Sequence, residues 1–476
     1  MSSEWQTSCL GDFVELQRGT TYKSSLLGLP GPFLLGLASI RPNGGFRDSS
    51  LRTYGGASAD KLILKPGDIY VSLKDVTQSA DLLGAVSQVP PHIAAGRLTQ
   101  DTVKLTFKND RVPSNFIYWL LRTPGYREYC RAHSMGTTNL SLSRVDFLSF
   151  AVPEPTAERL LLVTALESID ARINLNRQIN QTLEQMAPAL FQAWFVDFEP
   201  VKAKVAALAD GRDPLRAAMS TLSGKTDAEL DELPGAAFDT LAATAALFPE
   251  EMEESVLGAI PKGWTVKPLD SIADYLNGLA LQKYPLESPD VWLPVIKISQ
   301  LKRGDTLGAD RASANLRPEY IIDDGDVVFS WSGSLEVAIW CGGKGALNQH
   351  LFKVTSRHYP KWFYYLWTKQ HLTHFQATAA GKAVTMGHIQ RKHLTEALCV
   401  APPKEALDRM GVLVADLLDA TVNYRIQARS LATLRDSLLP KLLSGELAVT
   451  PEEQGLERRG IEKGVREGRG IERTWD

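Results

Sequence analysis

The chain has 476 residues, 44% of them apolar and 22% charged, with 36 Gly, 26 Pro and four Cys. That length suggests about two or three domains, each able to bury a core, and the composition excludes a disordered, collagenous or disulfide-rich chain. The formal charge of −3 argues against a uniformly basic nucleic-acid coat, but it is unevenly spread: residues 1–155 carry 16 basic against 13 acidic groups and residues 262–403 carry 16 against 12, whereas residues 201–261 carry 5 against 11. DNA affinity follows local phosphate neutralisation, so this pattern permits two DNA-facing modules without establishing them. Cys9, Cys130, Cys341 and Cys399 lie far apart with no CxxC pair, which encodes neither a zinc ribbon nor a disulfide framework. The start of the chain lacks a signal-peptide pattern, and no stretch nears the roughly 18 apolar residues of a membrane span. A reducing, cytoplasmic, soluble protein is the expectation.

Read in chain order, the first part recurs in the second. Leu10–Gly19 matches Leu269–Gly278 in its Leu-to-Gly spacing and apolar positions. Lys65-Pro-Gly-Asp-Ile-Tyr-Val-Ser72 matches Asp323-Asp-Gly-Asp-Val-Val-Phe-Ser330, and Leu98-Thr-Gln-Asp-Thr-Val-Lys-Leu105 matches Leu347-Asn-Gln-His-Leu-Phe-Lys-Val354. Phe116–Leu120 then matches Trp362–Leu366, the Gly136 loop resembles the Gly381 loop, and a Pro-punctuated exit follows each. Each copy therefore predicts β-branched strands entered from Gly-Asp turns, an aromatic-rich helix and a polar Gly/Thr/Ser loop. At helical spacing the aromatic clusters read as core rather than as base-stacking platforms.

A long helix follows each copy. In the first, Leu162, Leu166, Ile169, Ile173, Asn176, Asn180, Leu183, Ala187 and Leu190 keep alternating three- and four-residue spacing; in the second, Leu413, Leu417, Ala420, Tyr424, Gln427, Leu431, Leu434 and Leu438 do. This predicts two coiled-coil seams with polar middles, the helices pairing with each other. The fold expected is α+β: two pseudo-repeated α/β domains (1–155 and 262–403) separated by a long antiparallel coiled coil of two helices (156–200 and 404–447). Residues 201–261 read as an acidic connector with some helix, such as 226–233, and 448–476 as a charged, disordered tail.

Catalytic constellations are missing from the sequence. No Pro-Pro pair sits in the loop that amino-methyltransferases close around a target amine, Gly224-Lys-Thr226 lacks the first Gly of a phosphate loop, and no Gly-x-Ser-x-Gly elbow occurs. His371 and His374 read as a surface pair rather than metal ligands. No catalytic or metal-binding residue is assigned.

The helix ends carry a resemblance. Leu183-Glu-Gln-Met-Ala-Pro-Ala-Leu-Phe-Gln-Ala-Trp-Phe-Val-Asp-Phe-Glu-Pro200 and Leu434-Arg-Asp-Ser-Leu-Leu-Pro-Lys-Leu-Leu-Ser-Gly-Glu-Leu447 resemble the central and C-terminal conserved regions of the specificity subunits of type I restriction–modification systems, over about residues 5–447. The resemblance implies two target-recognition domains reading the halves of a split double-stranded DNA sequence. It also implies two modification subunits that carry S-adenosylmethionine and methylate adenine, and two restriction subunits using ATP and Mg2+. The chain itself is then non-catalytic and binds no cofactor; the alternative is a self-sufficient DNA-modifying enzyme with an unrecognised site, and a third reading is a DNA-independent scaffold.

Base readout needs Arg or Lys for guanine and Asn or Gln for adenine on groove-reaching loops. The DNA-binding candidates in the first half are Arg41, Asn43, Arg47, Lys74, Gln78, Thr137, Thr138, Asn139 and Arg144. In the second they are Gln300, Lys302, Arg303, Ser332, Ser334, Lys382, Thr385, His388, Gln390 and Arg391. Around the helix ends, Met186, Phe191, Trp194, Phe195, Phe198, Leu438, Leu439, Leu442 and Leu443 exceed what a two-helix seam buries. They read as a docking site for the modification subunit or as helix-to-domain packing.

Overall fold

The matched segments fold into the same sheet twice in the computed structural model, which describes residues 8–77, 79–137, 139–381 and 387–445. The expected tail 448–476 lies outside the described residues. The chain divides into two compact units, one containing the chain up to Ala171 and again from Leu431, the other spanning Arg172–Ser430.

In the first unit, β1 (Val14–Arg18), β2 (Ile69–Ser72), β3 (Val86–Gln88) and β4 (Thr102–Phe107) form an antiparallel sheet in the order β1-β4-β2-β3. In the second, β5 (Asp274–Asn277), β6 (Val327–Ser330), β7 (Glu336–Ile339) and β8 (Leu351–Thr355) repeat it as β5-β8-β6-β7. The strands β2 and β6 are buried along their whole length, which explains their continuous apolar runs. Each begins the same way: Gly67 and Gly325 take φ of 88° and 90°, a left-handed turn that favours glycine. The next residue closes that turn, Asp68 accepting from the Lys65 N–H at 2.7 Å and Asp326 from the Asp323 N–H at 2.8 Å. The same carboxylates hold a lysine on the neighbouring strand, Lys104 at 2.6 Å and Lys353 at 2.8 Å.

The aromatic helices Ser114–Leu120 and Lys361–Gln370 are core, as their spacing predicts. Phe116, Trp119, Trp362 and Phe363 are all at least 97% buried.

The long helices are α1 (Ala157–Phe191) and α2 (Lys404–Ser444). They pair antiparallel within each unit. In the first, Arg159 donates to the Leu442 and Leu443 carbonyls, both at 3.1 Å, and Arg435 meets Asp170 at 3.0 Å. In the second, Arg425 meets Glu184 at 2.6 Å, and the Asn176 amide points at Gln427 at 3.5 Å. The α1 seam is the expected one: Leu162, Leu166, Ile173, Asn176, Asn180 and Ala187 are buried. On α2 the fully buried positions lie one residue from the expected stripe, several of them in the second unit's sheet core, although Gln427 of that stripe does face Asn176. Leu407, Met410, Val414, Leu418, Thr421, Leu439 and Leu442 are buried, whereas Leu413 and Leu434 stay nearly half exposed. Leucines at neighbouring positions make α2 apolar over a wide arc, and periodicity alone does not choose between adjacent stripes.

Residues 201–261 are more than a connector. Helices Glu199–Ala209, Pro214–Ser223, Asp227–Asp231 and Gly235–Ala245 enclose a small core of Ala218, Met219, Leu230 and Ala245, and a hairpin, Met252–Ser255 with Gly258–Pro261, follows. The Thr226 hydroxyl and Glu229 cap the third helix reciprocally, which accounts for the helix expected there.

Gly19 and Gly278 occupy equivalent positions just beyond β1 and β5 where no side chain fits. A Cβ would lie 1.9 Å from the Thr99 carbonyl oxygen in one and 2.3 Å from that of Asn348 in the other. We predict that Gly19→Ala and Gly278→Ala each destabilise their own unit by about 1–3 kcal/mol, the usual cost of overpacking. Denaturant unfolding checks this; an unchanged midpoint for either variant contradicts the close approach.

Candidate nucleic-acid interface

Both central strands continue into a short polar extension where loops converge. In the first unit, Lys74–Asp75 pairs with Leu140–Leu142, which pairs with Ser134–Met135. Buried Asp75 fastens the following loop by accepting from the Thr77 N–H and hydroxyl, both at 2.8 Å, and the Leu82 N–H at 2.7 Å. Lys74 Nζ reaches Asp101 at 3.2 Å, with about half of the lysine side chain exposed. Thr137 and Asn139 are exposed on the adjoining loop, which turns at Gly136 with φ of 99°. Thr137 and Asn139 thus lie on the loop leading into the strand that pairs with Lys74–Asp75.

In the second unit the extension beyond β6 bridges to the segment at His388. The Gly333 N–H donates to the Gly387 carbonyl at 2.8 Å and the Ile389 N–H to that of Trp331 at 3.0 Å, with Ser332 opposite His388. Ser332 is buried, its hydroxyl 2.9 Å from His350 Nδ1. The other ring nitrogen of His350 lies 3.3 Å from the Gln349 amide. Trp331 stands beside both histidines and donates to the Asn277 side chain at 3.0 Å. Lys302 bonds the Ser334 hydroxyl. A cavity of about 400 Å³ lined by Gln282, Lys297, Ser299, Asn348, Gln349 and His350 opens alongside.

Other candidates serve the fold. Gln300 is buried and caps the helix Ile298–Arg303, accepting from the Lys297 N–H at 3.3 Å and the Ser299 hydroxyl at 2.8 Å. Arg41 is half-buried, and burial lowers its guanidinium pKa, opposed by nearby Asp170 and Asp48. Asp170 also meets Arg122 at 3.6 Å, so Arg41 belongs to an ionic cluster against α1. Arg47 donates to the Ala38 carbonyl at 2.8 Å, Arg303 is tied to Asp305 and Leu307, and Arg391 donates to the Tyr275 carbonyl at 3.2 Å. Asn43, Arg144 and Gln390 are exposed, and Gln390 directly follows the Ile389 that bridges to Trp331. Gln78, Thr138, Lys382 and Thr385 lie outside the described residues.

Most of the aromatic surplus at the helix ends is core. Phe191, Trp194, Phe195 and Phe198 sit among Trp264, Trp362 and Phe363, with Phe195 5.2 Å from the Trp362 ring. Leu439 and Leu442 fill the first unit's core, and Leu438 and Leu443 pack against it. These eight fasten helices to sheets and are not an open docking face; Met186 alone of the set is exposed. His371 is no free surface histidine either. It turns to the Leu398 carbonyl at 3.1 Å, and burial lowers its pKa. Among the described residues no group of His, Cys, Asp and Glu is arranged to hold a metal ion.

Asp101, Trp331, Gln349 and His350 belong to the two clusters but are absent from the residues singled out by sequence. The match of 98–105 with 347–354 already set Asp101 against His350, and that exchange of a carboxylate for an imidazole inside a matched segment was the available signal.

Residues 2–185 match the family model described as the type I restriction modification DNA specificity domain. Over 354 residues the chain is 30% identical to the type I restriction enzyme HindI specificity subunit of Haemophilus influenzae, covering 70% of this chain and 77% of that one. The chain belongs to the specificity-subunit family of type I restriction enzymes. A second specificity subunit, MjaIX from Methanocaldococcus jannaschii, is 24% identical over 349 residues, 71% of this chain and 70% of that one. The fold is also that of the crystal structure of the type I restriction–modification S subunit from M. genitalium, with a TM-score of 0.53 at 13% identity over 91% of this chain and 94% of that one. Within this specificity subunit, Gln300→Ala is predicted to cost about 1 kcal/mol through the lost cap while leaving DNA sequence preference unchanged. Thermal unfolding and motif sequencing of methylated DNA check both halves of that statement.

Proposed function

We propose that this specificity subunit binds double-stranded DNA with a split recognition sequence, each repeated lobe reading one half. It directs adenine methylation or ATP-dependent cleavage by two modification and two restriction subunits, which carry S-adenosylmethionine, ATP and Mg2+. The observation that carries the reading is the duplicated sheet, with a polar cluster at the same place in each copy. A catalyst needs one assembled constellation, whereas a reader of two half-sites needs the same frame twice with different side chains on it. The experiment is equilibrium dialysis of the purified chain against S-adenosylmethionine, followed by methylation assays with and without the modification subunit. We predict no binding and no methylation by the chain alone, and adenine methylation when the partner is added. Base methylation by the chain alone would establish the self-sufficient enzyme instead.

The modification subunit is proposed to dock on the outer faces of the helices. Leu175 and Met186 on α1 and Val412 and Leu413 on α2 are 44–58% exposed, unusual for large apolar side chains on helices already paired. Met186→Asp with Leu413→Asp is predicted to reduce co-purification of the modification subunit at least tenfold with unfolding unchanged. Trp194→Ala is predicted to lower stability by about 3–5 kcal/mol, as for other buried aromatic truncations. Undiminished co-purification of the double variant contradicts this docking face.

A further inference from the structure

The two lobes present different chemistry at one equivalent position. The frames coincide residue by residue: Thr20 bridges Thr99 in the first lobe as Leu279 bridges Asn348 in the second, both parallel. Ser72 pairs with Thr102 as Ser330 pairs with Leu351. Two residues past each serine stand Lys74 and Ser332; one residue before each paired partner stand Asp101 and His350. The first lobe therefore closes this position with an ammonium–carboxylate contact of 3.2 Å, the second with a hydroxyl–imidazole contact of 2.9 Å. The residue before Asp101 and before His350 is glutamine in both, Gln100 and Gln349, while the flanking positions differ as Thr99 against Asn348 and Thr102 against Leu351.

We propose that Lys74 and His350 are the specificity-determining side chains of this position, with Asp101 and Ser332 as their positioning partners. The inference rests on the reading of each lobe as a half-site reader. Lys74 is the more exposed member of its pair and offers only donors, which suits the paired acceptors on a guanine edge. Ser332 is buried, so it fixes the ring of His350, whose other nitrogen lies beside Gln349 at the polar cavity; a ring nitrogen and an amide together offer both donor and acceptor. The same backbone then accepts different base pairs in its two copies.

The test is sequencing of methylated adenines made by the full complex with its modification subunits, for the parent chain, Lys74→Gln, His350→Gln and Ser332→Ala. Lys74→Gln is expected to relax one base pair of one half-site, losing about ten- to hundredfold discrimination against the wrong base. His350→Gln is expected to relax one base pair of the other half-site, and Ser332→Ala the same base pair as His350→Gln. Circular dichroism confirms folding, and Lys74→Arg and His350→Asn provide milder replacements for any variant that fails it. An unchanged motif overturns the proposal. So does a uniform loss of binding to all sequences with a salt slope reduced by about one, the mark of a phosphate contact. If the parent complex yields no methylated motif, the half-site reading falls, and this proposal falls with it.

Discussion

The pairing register of β2 with β4, and of β6 with β8, is the constraint on which the rest of this molecule depends. Side chains alternate across a strand, so a slip of one residue turns every core position to the other face. Here it would also carry Lys74 away from Asp101 and Ser332 away from His350. The register is pinned at its far end, where Asp68 and Asp326 close the entering turn and grip Lys104 and Lys353 on the paired strand. These ion pairs are about three-quarters buried, and separating such a pair leaves a poorly solvated charge, a penalty that a slipped register would incur. A device placed at the start of the strand thus fixes the geometry of the polar cluster at its end.

The long helices show a related use of polarity. The α1 seam contains Asn176 and Asn180, both buried. Turned to the amide orientation that satisfies its neighbours, Asn180 donates to the Thr421 carbonyl at 3.2 Å, while the side-chain oxygen of Asn176 has no partner among the described residues. Buried amides in a seam lower stability and select one axial alignment over others. The helix ends are secured differently, by aromatic and leucine side chains set into the sheet cores. Middle and ends therefore divide the work: the amides set register, and the apolar ends set attachment.

Much of this was legible in the sequence because it is duplicated. The Gly-Asp turns, the aromatic helices and the α1 seam each follow from local spacing, and the repeat supplies an independent second reading of the sheet. Three features were not legible, each for a physical reason. The buried stripe of α2 lies one residue from the expected one because apolar residues occupy both, and burial is decided by the sheet cores against which the helix ends pack. Gln300, Arg41 and Arg391 have the chemistry of base readers but spend it on a helix cap, an ionic cluster and a backbone carbonyl; tertiary contacts make that choice. Phe191, Trp194, Phe195 and Phe198 look like a partner surface in one dimension, because residues that cover them, among them Phe248, Trp264 and Trp362, lie far away in sequence.

A frame used twice, with different side chains at the ends of its central strands, supports the proposal that each copy is a separate reader. The measurement that tests this most directly replaces residues 5–150 with the corresponding segment of another specificity subunit and sequences the methylated adenines produced with the modification subunits. The account predicts a motif in which one half-site is exchanged and the other is retained base for base. A motif altered in both halves would contradict it.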